Sequence, residues 1–336
     1  MAQAQPDSEA NLHRLRQGTS PFVFAVPLKP RRGCNDWEIV QQRLRHTVRS
    51  IRGGVDRNYL IVLACHDRPD LDLGEDVQIL SAPFAAEPKS QQGAQDKARK
   101  LRMIGAWLRD RVSAEGAHVM FLDSDDLVHR YLVRFVHRAA VRCCYSIERG
   151  YMYDCRTGVL ELRSRRFFAL CGSGFIGWFQ KSELPQSWED LESPYARFGV
   201  YPLHRGHQHY PSVAAELGKQ VHTIPFPAVT YVVNHGDNLR AVESGMQFRE
   251  LHPSQLVWPR RAKMILNSNF SYDDGRISQN ELARAGSFAR ALLGSTFRKV
   301  ERATTGRLKA VRPGLARSDL SRGTRARALA IRSRQA

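Results

Sequence analysis

The hydrophobic pattern changes period repeatedly along the chain. FVFAVPL (22–28) and YLIVLAC (59–65) are unbroken apolar runs rich in β-branched and aromatic residues, as expected of short strands buried on both faces. Between them, WEIVQQRLRHTVRSI places Trp37, Val40, Leu44, Val48 and Ile51 three or four residues apart, which is the spacing of one helix face. The opening is therefore a βαβ unit. VQILSAPF predicts a third strand, DKARKLRMIGAWLRDRV a helix with Leu101, Ile104, Leu108 and Val112 on one side, and HVMFL a further buried strand. LVHRYLVRFVHRAAV (127–141) then resumes helical spacing.

Beyond residue 150 the signals shorten. GYMYDCRTGVLELRSRRFFALCGSGFIGWF alternates like antiparallel strands, broken at Thr157-Gly158 and at Gly172-Ser173-Gly174. PSVAAELGKQ predicts a short helix closed by Gly218, and VHTIPFPAVTYVVNH predicts strand material interrupted by prolines. Alternating strands and helices imply an α/β fold with a mostly parallel sheet flanked by helices. Ligands in such folds sit outside the carboxyl ends of the strands. The expected organisation is a mobile N-terminal arm (1–19), one domain (20–290), and a helical to disordered basic tail (291–336), with helical spacing over 282–300.

Composition changes the picture in two places. The six cysteines form no C-x-x-C pair and most fall in apolar elements, which suggests thiols in a reducing compartment. No run approaches the ~20 apolar residues of a membrane span, and the first residues lack the apolar core of a secretory signal; a cytoplasmic protein is expected, peripheral to the inner face of the membrane if its tail binds there. The net charge of +18 resembles that of a nucleic-acid binder until its distribution is read: residues 298–336 hold 12 Lys/Arg and two acids. Such a tail suits an anionic membrane surface and says little about the folded part, and nucleic acid is not the expected partner.

The candidate chemistry stands at the end of the HVMFL strand, where FLDSDD brings Asp123, Asp125 and Asp126 within four residues. Like charges this close need a cation or a set of donors among them. A solvated turn or helix cap is the plain alternative. The apolar strand in front and the third carboxylate favour a hard divalent cation, Mg²⁺ or Mn²⁺, shared with substrate phosphates.

These residues, with the opening FVFAVPLKP, the Asp of LACHD and the helix DKARKLRMIGAWLR, resemble glycosyltransferases of the GT-A fold, most closely the inverting family-2-like enzymes, over about 22–238. The resemblance implies a nucleotide-diphospho-sugar donor, transfer of a hexose-type sugar to a hydroxyl acceptor such as a glycan, and Mn²⁺ or Mg²⁺ as cofactor. It implies that Asp67 contacts the nucleotide base, that Lys97 or Arg99 faces the nucleotide, and that Asp123 and Asp125 lie on metal and diphosphate, with His235 as a third metal ligand. Members of the family carry a Glu-Asp pair before a helix, where this chain has His207 and His209 in GHQHYPSVAAELG. The general base is then one of these imidazoles, whose ordinary pKa near ~6.5 suits proton acceptance, or Asp190 or Glu192 of SWEDLESP. Trp178, after CGSG, is a candidate stacking platform for a sugar, with core packing as its ordinary fate. Asp237 and Asn238 are candidates for closing the site over phosphates.

Two other readings stand beside this one. Haloacid-dehalogenase-like phosphatases also place D-x-D after an apolar strand, but near the start of the domain and before Gly-Thr or its like, where this chain has Asp126-Leu127. A basic nucleic-acid or membrane-surface adaptor on an inert α/β domain explains the tail and leaves the three acids unexplained.

Overall fold

The computed structural model describes residues 21–86, 90–198, 206–236 and 255–272, all of which belong to one compact unit. The expected arm, the tail and the 282–300 helix lie outside the described residues, as do Asp237 and Asn238.

The opening follows the hydrophobic pattern. Strands β1 (Phe22–Pro27), β2 (Tyr59–Cys65), β3 (Val77–Ser81) and β4 (Ala117–Phe121) are joined by helices α1 (Trp37–Arg52), between β1 and β2, and α2 (Ser90–Arg109), between β3 and β4. Neighbouring pairs β1–β2, β2–β3 and β1–β4 are parallel. Alternation along β1 and β2 sorts their side chains onto two faces. Phe22, Phe24, Val26, Tyr59, Ile61 and Leu63 pack with Val40, Leu44, Val48 and Ile51 of α1. On the other face, Val23, Ala25, Leu60, Val62 and Ala64 pack with Leu101, Ile104 and Leu108 of α2. Asp36 starts α1 by accepting from the backbone N–H of Glu38 at 2.9 Å and Ile39 at 3.2 Å, so the helix begins where two of its orphan N–H groups find a carboxylate.

The second half departs from the expected order. Leu127 and Val128 are strand β5 rather than the start of a helix, and α3 begins only at Leu132 (Leu132–Ala139). The Val128 N–H donates to Ser50 Oγ at 3.1 Å, and the Val232 N–H donates to Asp126 at 3.2 Å. Antiparallel pairing with Val229 and Thr230, continued by the His129 N–H donating to Ala228 O at 2.9 Å, holds this stretch in a second sheet ahead of the helix. The alternating stretch from 150 is likewise divided. Strands β6 (Cys144–Ser146) and β9 (Phe175–Phe179) join the first sheet, whereas β7 (Gly150–Asp154) and β8 (Val159–Arg163) form a hairpin in the second. A short turn over Phe167–Ala169 separates the two destinations.

After α4 (Tyr210–Glu216), β10 (Val221–Thr223) and β11 (Val229–Val233) separate in the same way around Pro225 and Pro227, which lack the N–H a ladder needs. β12 (Leu256–Val257) and α5 (Pro259–Phe270) close the second sheet. The first sheet has seven strands in the order β10-β6-β9-β4-β1-β2-β3 and the second has five in the order β12-β8-β7-β11-β5. The architecture is α/β with mixed sheets flanked by helices; in the larger sheet β9 runs antiparallel to both its neighbours. Among the described residues no helix is long and apolar enough to cross a membrane.

Candidate functional site

The parallel register of β1, β2 and β4 brings their carboxyl ends to one edge, because Phe22 lies opposite both Tyr59 and His118. Leu122 continues β4 by donating to Ala25 O at 3.0 Å, and the chain then turns sharply, with the Asp126 N–H donating to Asp123 O at 3.2 Å. Thr47 of α1 holds the turn through a 3.0 Å hydrogen bond to Ser124 O. The three acids are thereby split. Asp123 and Asp125 face outward with side chains 25% and 22% exposed, and Asp126 points inward and is fully buried.

Each acid has its own partner. Lys97 of α2 makes an ion pair with Asp123, and Asp125 Oδ2 lies 2.8 Å from His235 Nε2 at the end of β11. Asp126 accepts from Ser173 Oγ at 2.5 Å, Cys171 Sγ at 3.1 Å and Val232 N at 3.2 Å. Ser173 Oγ also accepts from the Asp123 N–H at 3.0 Å, so one hydroxyl spans the turn.

Electrostatics follow from this geometry. Burial opposes ionisation of Asp125, but the hydrogen bond and charge of His235, together with Lys97, outweigh it and hold the carboxyl below its ordinary value. Burial, then the charges of Asp125 and Asp123, push the Asp126 carboxyl well above the usual range against the pull of Ser173 and Cys171. Burial lowers Lys97, yet Asp123 more than compensates and the ammonium stays firmly charged. The outer pair therefore presents negative charge, and the innermost acid resists adding to it.

Around this centre the loops are tied together. Asp67 accepts from the Arg31 N–H at 2.8 Å, so the loops after β1 and β2 are joined. Asn35 donates to Gly236 O at 2.7 Å, tying the loop after β1 to the segment carrying His235. Beneath them, Asp96 binds His66 Nε2 at 2.6 Å and Lys100 Nζ at 2.6 Å, and the same ammonium donates to Leu28 O at 2.7 Å.

Not every expected residue joins the cluster. Arg99, two residues beyond Lys97 on α2, turns to the other side of the helix and lies over the rings of Phe84 at 5.8 Å and Trp188 at 5.9 Å. Trp178 is not a platform at this site. It is only 5% exposed, packs against His118 with ring centroids 4.6 Å apart, and pairs with His118 across β4 and β9. Five residues of strand, about 16 Å, separate that level from Asp123. Asp190 clasps its own loop: Oδ2 accepts from Gln186 N at 2.9 Å, and Oδ1 from Glu192 N at 3.0 Å and Ser193 N at 3.1 Å. Burial opposes its charge, yet the three N–H groups hold its pKa below the ordinary value, an unsuitable setting for a proton acceptor.

His207 and His209 occupy a short turn that packs on the Phe167–Ala169 turn, just ahead of Cys171 and Ser173. Tyr210, the next residue, is buried. Burial pushes its hydroxyl up to about 12, with Lys97 pulling it down and Asp123 pushing it further up. The histidine turn thus directly precedes a side chain that feels the charges of the ion pair. Cys171, Ser173 and Tyr210 are site residues that the sequence did not single out; the Gly-Ser-Gly break was the only visible signal for the first two, and Tyr210 had none beyond its place after the two histidines.

Compared with known proteins, the sequence matches no family model, and no curated protein matches it. What the site can do must be argued from its own side chains. Among the described residues no three His, Cys, Asp or Glu side chains are grouped closely enough to hold a metal ion by themselves. An open site needs fewer, since Mg²⁺ or Mn²⁺ bound with a diphosphate takes one or two carboxylates and leaves the other positions to phosphate and water. The donors present, Asp123 and Asp125 with the His235 nitrogen beside the second, fit that arrangement. Gly172 supplies the room: a Cβ there would stand 2.9 Å from Asp123 Oδ2 and 3.2 Å from Lys97 Nζ. The cradle is one that any side chain at Gly172 would fill.

Proposed function

We propose that the chain is a metal-dependent glycosyltransferase of GT-A-like architecture, transferring a sugar from a nucleotide diphosphate to a hydroxyl acceptor with inversion at the anomeric carbon. One observation carries the proposal: the outward acids Asp123 and Asp125 stand with Lys97 and His235 beside Gly172 at the carboxyl ends of the parallel strands β1, β2 and β4. A carboxylate pair beside a fixed ammonium suits a diphosphate, whose charge it receives partly through a cation and partly directly.

In this reading Lys97 holds a phosphate oxygen, Asp123 and Asp125 would hold Mn²⁺ or Mg²⁺, and His235 fixes the rotamer of Asp125. The bound ion would supply neutralisation of charge developing on the departing diphosphate. Asp67, joined to the backbone of Arg31, is placed for the nucleobase or ribose. The acceptor hydroxyl attacks the anomeric carbon and gives its proton to an imidazole of the His207–His209 turn, as the anomeric C–O bond to diphosphate breaks. Asp190, occupied by three backbone N–H groups, has no part in the chemistry.

The test is Asp125→Ala. Metal-dependent binding of UDP or GDP in titration calorimetry should vanish, and turnover should fall on the order of 10³-fold, comparable with losing a principal transition-state contact. The melting temperature without ligand should stay near that of the wild type, because removing one of three clustered acids relieves repulsion. Unchanged nucleotide binding in this variant would overturn the reading.

A further inference from the structure

Helix α5 lays one side on the second sheet and turns the other outward. Ala262, Ile265, Leu266 and Phe270 are buried against Leu127, Leu160 and Val232. The opposite face carries Arg260 and Arg261, with Met264 one turn later at i+4 and i+3. Met264 is 60% exposed, and Trp258, which precedes the first turn, is 69% exposed; these are the two most exposed large apolar side chains among the described residues. No Asp or Glu occurs from 255 to 272, whereas Arg260, Arg261 and Lys263 do.

Two features of this face need explaining together. Three cations without an acid would suit any anionic partner, and a solvated face would serve the same charge without Trp or Met. A nucleic acid could use Trp258 for stacking, but Met264, on the crest between the arginines and the next turn, offers a base neither a ring nor a hydrogen bond. A bilayer surface uses all four side chains. Arginines meet the phosphates of anionic headgroups, Trp favours the interfacial layer, and a flexible thioether buries apolar area at the acyl boundary.

We propose that the outward face of α5 docks on an anionic phospholipid surface, with Arg260 and Arg261 on headgroup phosphates and Trp258 and Met264 in the interfacial layer. The contact is peripheral, and it is separate from the charge of residues 298–336. It does not depend on the reaction at the acidic cluster.

The experiment is flotation of the full chain with vesicles of phosphatidylglycerol and phosphatidylcholine, and with vesicles of phosphatidylcholine alone. The chain should bind the first and not the second. Arg260→Gln with Arg261→Gln should weaken binding on the order of thirtyfold, from the contribution of two cations near such a surface. Trp258→Ser with Met264→Ser should weaken it at unchanged charge. Fluorescence quenching by brominated lipid should be present in the wild type and reduced in Trp258→Phe, which reads insertion without relying on the double variants. Melting temperatures should match the wild type because the four side chains face water. Vesicle affinity unchanged in both double variants, or Trp258 quenching absent from the wild type, would overturn the proposal; so would binding to an oligonucleotide but not to vesicles.

Discussion

At the carboxyl end of β4, Asp123, Asp125 and Lys97 stay partly exposed beside the buried side chains of Asp126 and His235; at the amino end of the same strand, His118 and Trp178 are buried beside a half-buried Lys219. His118 is 4% exposed. Burial drives its pKa down to about 4. Trp178 covers it, and Lys219 nearby is neutralised by Glu183 at 2.6 Å while donating to Trp178 O at 2.9 Å. One end keeps part of its charge exposed beside Gly172, and the other buries His118 and Trp178 in the core next to a surface cleft lined by Trp178, Glu183 and Lys219. Polar and aromatic residues next to a strand are therefore no guide to a site until the end of the strand at which they sit is known.

The sharpest test of that contrast is Trp178→Ala. It should cost about 3–5 kcal/mol of stability, the usual range for emptying a large aromatic from a core, while the protein that remains folded binds UDP with Mn²⁺ as the wild type does. A loss of nucleotide affinity at unchanged stability would place Trp178 at the ligand and dissolve the contrast.

His118 gives the next largest effect. Its folded pKa of about 4 lies below the ~6.5 of an unfolded imidazole, so on acidification the unfolded chain takes up the proton first. Stability is then fully present above about pH 6.5 and lost as the pH falls toward 4, by up to about 3 kcal/mol. His118→Leu should flatten this part of the profile, measured as urea midpoints from pH 7 to 4. His129, also pushed down to about 4 by burial, remains in the variant, so the difference between the two curves isolates His118. Parallel curves would mean that His118 is accommodated as a cation.

At the open end, Gly172→Ala should reduce affinity for nucleotide and metal about tenfold, at the lower edge of effects seen when the surroundings of a metal site are disturbed. Its Cβ would crowd Asp123 Oδ2 and Lys97 Nζ. Stability should hold, since both are ends of side chains that can move and alanine narrows the unfolded ensemble. Unchanged affinity would remove the opening from the argument.

The smallest effect is expected for Asp190→Asn. It should cost about 1 kcal/mol or less through weakened loop hydrogen bonds and leave turnover nearly normal, whereas alanine at His207 or His209 should depress turnover far more than donor binding. The reverse outcome in steady-state kinetics would return the base to the carboxylate.

The hydrophobic periods alone determined the βαβ opening, the faces of α1 and α2 and the placing of FLDSDD after a buried strand, because period 2 and period 3.6 are local consequences of backbone geometry. They also showed the Gly-Ser-Gly break, whereas His235 was marked only by the family resemblance. They did not determine which sheet a strand would enter. β5 and α3 share one apolar stretch, and the pairing of Leu127 and Val128 with the distant Thr230 and Val229 decided where the strand ends and the helix begins. Nor could they separate Asp126 from its neighbours, since three adjacent acids look alike until a fold points one inward and gives it Ser173, Cys171 and Val232. Trp178 and Asp190 stood near the right motifs in sequence. Antiparallel pairing carried the tryptophan to the far end of β4, and three backbone N–H groups turned the aspartate onto its own loop. Which residues are apolar is written locally, but which of them meet depends on strand direction and register, and those are decided only when distant segments pair.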